Sequence, residues 1–191
     1  MSPILAAWVL IAPFVPQQEQ QMRLDIKWCD EPTRAQELAE FFASHVTPAY
    51  ISHSELQGPR ATSPSRWRER LPEIIRTELE PRLTRNQHEI GAGDRRPVVV
   101  TETDDGLAAL SLVTFAASAP IPFAVIEDLI VAPSERGKGI GTTVIEWIAA
   151  EARERRIRRL FLESGVHNES AHHFFERSGF KACSVVMLRS L

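Results

Sequence analysis

The segment Glu135-Arg136-Gly137-Lys138-Gly139-Ile140-Gly141, reading ERGKGIG, sits between an apolar run and a stretch with apolar residues at helical spacing. It therefore joins a strand to a helix through a turn of alternating glycines. Glycine lets the backbone adopt positive φ and approach a ligand closely. A helix that starts near Gly139 aims unpaired N–H groups and a positive dipole end at whatever lies before it. With Arg136 and Lys138 alongside, the turn is built to hold an anion. Two familiar anion sites fail on spacing. A P-loop needs Ser or Thr after its lysine, and Gly139 follows Lys138. A dinucleotide fingerprint needs a third glycine where this chain has Thr142 or Val144.

The flanking sequence supplies the rest of the element order. Arg23–Trp28 alternates as a strand, and Ala35, Leu38, Ala39 and Phe42 recur at helical spacing. Residues 46–65 read as an irregular loop. A helix is expected from Pro64 to about Glu80, with Trp67, Leu71, Ile74 and Ile75 on one side, and a loop over 86–96. Asp104-Asp105-Gly106 joins two strands as a hairpin. A third strand spans Phe123–Val131, followed by the glycine turn and a helix carrying Ile140, Val144, Trp147 and Ile148. Arg159–Ser164 is the next strand. Asn168 can cap a short helix that Gly179 stops, and Lys181–Leu188 is expected as a last strand. This order argues for a single α+β domain with a central mixed sheet flanked by helices. The length of 191 residues suits one domain with a real core.

The residues from Phe123 onward carry a resemblance. EDLIVAPSERGKGIGTTVIEWI, followed by LFLESGVHNESAHHFFERSGF, resembles the GNAT superfamily of acyl-CoA N-acyltransferases. Arg136, Gly139 and Gly141 fit its R/Q-x-x-G-x-G/A pattern. Asn168, Ala171, Phe174, Gly179 and Phe180 fit its N-x-x-A-x-x-F-Y-x-x-x-G-F element at all but one position. The resemblance implies a twisted sheet whose strands splay at the coenzyme A site, with acetyl-CoA as co-substrate. It implies that the anion is the pyrophosphate of coenzyme A, bound by Arg136, Gly137, Lys138, Gly139, Ile140, Gly141 and Thr142. The pantetheine arm would then run along Leu129, Ile130 and Val131, where an N–H would polarise the thioester carbonyl. Asn168, Phe174 and Phe175 would border that arm.

The implied reaction is transfer of an acetyl group to a primary amine by direct attack in a ternary complex. An amine with pKa ~10.4 must lose a proton to attack, and a carboxylate can take it, directly or through water. Glu127 and Asp128 are the candidates. As neighbours in a strand they are expected on opposite faces, with only one facing the cleft. The family often uses a carboxylate on this strand, and Glu127 is favoured here, although a solvated strand carboxylate is an equal reading. The family also commonly supplies a tyrosine to protonate the leaving thiolate. Phe175 stands at that position, and Tyr50, the chain's one tyrosine, is far away in sequence. That departure keeps open a non-catalytic acyl-CoA-binding module on the same scaffold.

The acceptor site is expected from the earlier half, with Tyr50, His53 and Glu55 as polar lining; nothing there names a substrate. A small-molecule amine is favoured because no feature points to protein recognition. The six histidines have no ligand spacing, so no metal is expected. The net charge of -3 gives no argument for nucleic acid as the main partner, none is expected, and the cluster RERRIRR, residues 153–159, reads as a solvated face. Cys29 and Cys183 form no disulfide framework, and a cytoplasmic setting is the simple reading. A homodimer is common in the family. The N-terminal residues 1–21 are apolar but broken by Pro3, Pro13 and Pro16, too short to span a bilayer. They are expected as an extension outside the domain 22–191, either a disordered arm or a segment preceding a true start at Met22.

Overall fold

The computed structural model describes residues 23–83 and 93–191. The N-terminal extension, Met22 and most of the 86–96 loop lie outside the described residues. The elements are β1 (Asp25–Cys29), α1 (Ala35–His45), α2 (His53–Gln57), β2 (Ala61–Ser63), β3 (Arg66–Trp67), α3 (Leu71–Leu83), β4 (Val98–Thr103), β5 (Gly106–Ala116), β6 (Phe123–Val131), α4 (Ile140–Glu154), β7 (Leu160–Leu162) and α5 (Glu169–Arg177).

Five strands form one sheet in the order β1-β4-β5-β6-β7. The first four are antiparallel, and β7 runs parallel to β6, which makes the sheet mixed. The two-residue loop Asp104-Asp105 forces the β4–β5 hairpin, with Gly106 at φ 112°. β4 is apolar on both faces because both are covered. Val98 and Val100 face a core built with Leu38, Phe42, Ile75 and Leu79 of α1 and α3. Val99 faces a second core with Val144, Ile145 and Ile148 of α4. Each such fully buried aliphatic side chain contributes about 1.5–3 kcal/mol.

Several expectations are corrected. The helix expected from Pro64 starts at Leu71, because Trp67 belongs to β3, which pairs with β2. The irregular loop contains α2, closed by a capping box in which the Glu55 carboxylate accepts the Ser52 N–H. No strand forms over Lys181–Leu188. The strand propensity is there, but no neighbouring strand pairs with the segment, and Val185, Met187 and Leu188 stay exposed. The basic cluster is not wholly solvated: Arg155 lies with its side chain 7% exposed, over the rings of Trp28 and Phe115.

Candidate active site

β6 carries the site, and a bulge shapes it. Val113 of β5 pairs with Ile126, while Leu112 pairs with Asp128, so Glu127 is an extra residue in the ladder. The bulge changes which way the side chains point. Asp128 shares the face of its partner Leu112. Glu127 accepts a hydrogen bond from Thr114 Oγ1, and Thr114 is two residues from Leu112 on that same face. The expectation of opposite faces is therefore wrong: both carboxylates stand on the α1–α3 side. Strict alternation fails wherever a strand carries an extra residue. The carbonyl of Asp128, displaced by the bulge, accepts from buried Ser111 Oγ at 2.7 Å.

The two carboxylates sit in different electrostatic settings. Burial opposes the charge on Glu127, but Arg82, Thr114 and Arg96 outweigh it and hold this carboxyl below its usual range. Asp128 has a side chain with no exposed surface. It accepts from Arg60 Nη1 at 3.1 and 3.0 Å and from Tyr50 Oη at 2.9 Å. Burial pushes its carboxyl up, Glu55 adds to that, and Arg60 and Tyr50 pull back without cancelling it. Arg60 is also tied to Glu78 at 2.6 Å. Burial and the nearby Asp128 raise the Tyr50 phenol well above its ordinary value.

β6 and β7 part company beside this bulge. Their ladder ends at Ile126 and Leu162, whereas β6 runs on to Val131. In this stretch Ala132 N–H donates to Ala108 of β5, so the alternate N–H groups of Leu129 and Val131 point the other way, into the gap. The gap opens into a cavity of about 830 Å³ that reaches the glycine turn. Gly137 and Gly139 adopt φ of 79° and 83°, the left-handed region that glycine enters freely. Gly139 is the N-cap of α4 and brings no side chain, leaving the first-turn N–H groups aimed at the cavity mouth. Gly141 has a different reason to be small: a Cβ there would stand 3.0 Å from Phe174 Cζ. Arg136 is anchored through Nε to the Val131 carbonyl at 3.1 Å, and Lys138 pairs with Glu135 at 3.0 Å.

Every residue expected to hold the donor lines this cavity except Lys138. Asn168 stands at the N-cap of α5 but makes no capping bond with its side chain, which leaves it available to a ligand. Of the expected acceptor residues, Tyr50 lines the same cavity. Glu55 lines a second cavity of about 510 Å³, with Arg60, Glu78, Glu127 and Asp128. Its carboxylate is 4% exposed and is used by Ser52 and Arg60. His53 lines neither cavity and pairs with Glu163 at 3.3 Å. Glu127 and Glu163 border both cavities. Arg60, Arg82, Ser111 and Thr114 were not anticipated. None sits in a motif, and each gains its role from contacts across the fold. Among the described residues, no cluster of His, Cys, Asp and Glu fits a metal ion, and no helix is long and apolar enough to cross a membrane.

Comparison with known proteins gives this geometry a context. The model of the acetyltransferase (GNAT) family matches residues 63–180. A streptothricin acetyltransferase of Streptomyces lavendulae is 39% identical over 92 residues, 48% of this chain and 48% of that protein. An aminoalkylphosphonate N-acetyltransferase of Salmonella typhimurium is 34% identical over 56 residues, 29% of this chain and 36% of that one. The match thus spans half or less of these curated relatives. Among solved structures, an aminoglycoside N-acetyltransferase in complex with CoA aligns at TM-score 0.63 and 11% identity, covering 92% of this chain and 99% of that one. That likeness is one of fold.

Proposed function

The chain belongs to the GNAT acetyltransferase family, and from that premise we propose that it transfers the acetyl group of acetyl-CoA to a primary amine of a small molecule, by direct attack in a ternary complex. The observation that carries this reading is the extent of the first cavity. It runs from the glycine turn, along the open edge of β6, to Glu127 at the bulge. The pyrophosphate would sit on the N–H groups around Gly139 to Thr142, with Arg136 supplying charge. The pantetheine arm would bond the β6 edge at Leu129 to Val131, and the Leu129 N–H would polarise the thioester carbonyl.

The amine would enter from the second cavity. That cavity carries Glu55, Glu78, Glu127, Asp128 and Glu163 against Arg60 and Arg96, a balance that suits a cationic acceptor. The names of the relatives point the same way, since streptothricin, aminoalkylphosphonate and aminoglycoside acetyltransferases all act on amines. A cytoplasmic enzyme is in keeping with the unpaired Cys29 and Cys183. Phe175 is the one feature that favours an acyl-CoA-binding module without turnover, because it has no proton to give.

Thiol release from acetyl-CoA, followed with streptothricin, 2-aminoethylphosphonate, kanamycin and spermidine as acceptors, tests the reading. The expected result is amine-dependent thiol release with at least one of them. Tight acetyl-CoA binding with no release on any amine would favour the binding module instead.

A further inference from the structure

Tyr50 is the single tyrosine of the chain, and the fold brings it to the mouth of the β6–β7 gap. It arrives on the turn Pro48–Tyr50 and is wedged between Phe42 and Trp67, with ring centroids 6.1 and 6.3 Å away. From the other side Gly165 presses on the same turn so closely that a Cβ would stand 2.3 Å from the Ala49 carbonyl. The ring is thus flanked by Phe42 and Trp67, and the turn that carries it is backed by Gly165. Its hydroxyl donates to Asp128 Oδ1 at 2.9 Å and accepts from the Leu129 N–H at 3.3 Å. That N–H points into the gap beyond the last β6–β7 pair, so Tyr50 Oη stands beside the place a thioester carbonyl bound to it would take. On α5, Phe175 packs against Phe174 and Phe180 and offers no proton.

We propose that Tyr50 is a catalytic residue that carries the proton from the attacking amine to the leaving thiolate, with Asp128 as the positioning residue behind it. This rests on the acetyltransferase reading above. The acceptor reacts as the neutral amine, its ammonium proton having gone to solvent; as its nitrogen bonds to the thioester carbon, one N–H proton passes to Tyr50 Oη while the proton of Tyr50 passes to Asp128 Oδ1. As the C–S bond breaks, Asp128 returns its proton to Tyr50, and Tyr50 releases the other to sulfur. One N–H and one C–S bond are lost, one C–N and one S–H bond are formed, and both side chains end as they began. No free phenolate forms at any point, in keeping with a phenol whose ionisation is strongly opposed by burial and by Asp128. Asp128 stands behind Tyr50 with no exposed side-chain surface, its carboxylate held by Tyr50 and Arg60.

The test uses the uniqueness of Tyr50. Full-length protein labelled with 3-fluorotyrosine gives one ¹⁹F resonance, read during titration with acetyl-CoA, CoA and desulfo-CoA, with calorimetry to match saturation. The expected result is a shift with acetyl-CoA and CoA that desulfo-CoA, lacking sulfur, does not reproduce. Equal saturation by all three with one common shift, or with none, overturns the proposal and leaves the donor site intact. No calorimetric binding of any of them overturns the donor-site reading, and the proposal with it. On an accepted amine, Tyr50→Phe is expected to lower kcat by about 100-fold with the KM for acetyl-CoA unchanged. Asp128→Asn is expected to do the same, and Asp128→Glu to restore part of the rate. Undiminished kcat in Tyr50→Phe contradicts the relay.

Discussion

Glu127 and Asp128, neighbours in β6, present their carboxylates on the same face of the sheet, and their environments push the two in opposite directions. Glu127 is held below its usual range, so its contribution to stability is complete above an ordinary carboxylate pKa of about 4.3 and is lost as pH falls through the lowered value. Asp128 is raised, so the folded state keeps its proton more tightly. Its contribution is present in acid and is lost as pH rises from about 3.9 through the raised value. Urea midpoints measured from about pH 3 to pH 6 should therefore fall less in acid for Glu127→Gln than for wild type. They should fall more steeply for Asp128→Asn. Slopes that move together would contradict the opposed settings.

Gly165 supports Tyr50 from a distance in sequence. A Cβ there would meet the carbonyls of Ala49 and Ile51 at 2.3 and 2.5 Å, and backbone cannot yield as a side-chain tip does. Gly165→Ala should cost about 1–3 kcal/mol by overpacking and should move the 3-fluorotyrosine resonance of the ligand-free protein. The nearest atoms to a Cβ at Gly141 all belong to the Phe174 ring, which can turn, so the effect of Gly141→Ala on that resonance should be absent. An unmoved resonance in Gly165→Ala would show that the turn is not held this way.

Arg155 tests the reading of the basic cluster. Its guanidinium lies 4.6 Å from the Phe115 ring centroid and 5.5 Å from that of Trp28, and Nη1 bonds Glu151 at 2.7 Å. Arg155→Ala should lower stability by about 2 kcal/mol through lost packing and cation–π contact. Charge reversal at exposed Arg158 should stay within about 0.5 kcal/mol. Thermal unfolding of the two variants separates the cases; equal losses would contradict the burial of Arg155.

Much of this fold was legible in the sequence because its signals are local. The two-residue hairpin at Asp104-Asp105, the strand Phe123–Val131 and the start of α4 beside Gly139 are set by turn chemistry and apolar period, and they appear where expected. What escaped is non-local. The bulge at Glu127 depends on register against β5, so alternation predicted the wrong face. Tyr50 looked remote because 78 residues separate it from Asp128, yet the two share a hydrogen bond. Arg60 sits in no pattern and is defined by three carboxylates from α2, α3 and β6. The strand expected over Lys181–Leu188 has the right residues and lacks a paired edge. Apolar content gives propensity, and only the assembled sheet decides pairing.

The central claim is that the glycine turn holds the pyrophosphate of acetyl-CoA, and Gly139→Asp isolates it. Gly139 has φ 83° with no atom within 4 Å of an added Cβ. Aspartate tolerates that conformation better than most side chains and is a favoured N-cap, so the fold should survive. Its charge would face the pyrophosphate, an unfavourable term on the order of 3 kcal/mol, or about 100-fold in affinity. Calorimetric titration of wild type and Gly139→Asp with acetyl-CoA, with ATP and NAD as controls, is the most direct measurement. The account predicts acetyl-CoA binding to wild type that the substitution removes, and no comparable binding of ATP or NAD. A folded wild-type protein that fails to bind acetyl-CoA, or a Gly139→Asp variant that binds it as well, would contradict it.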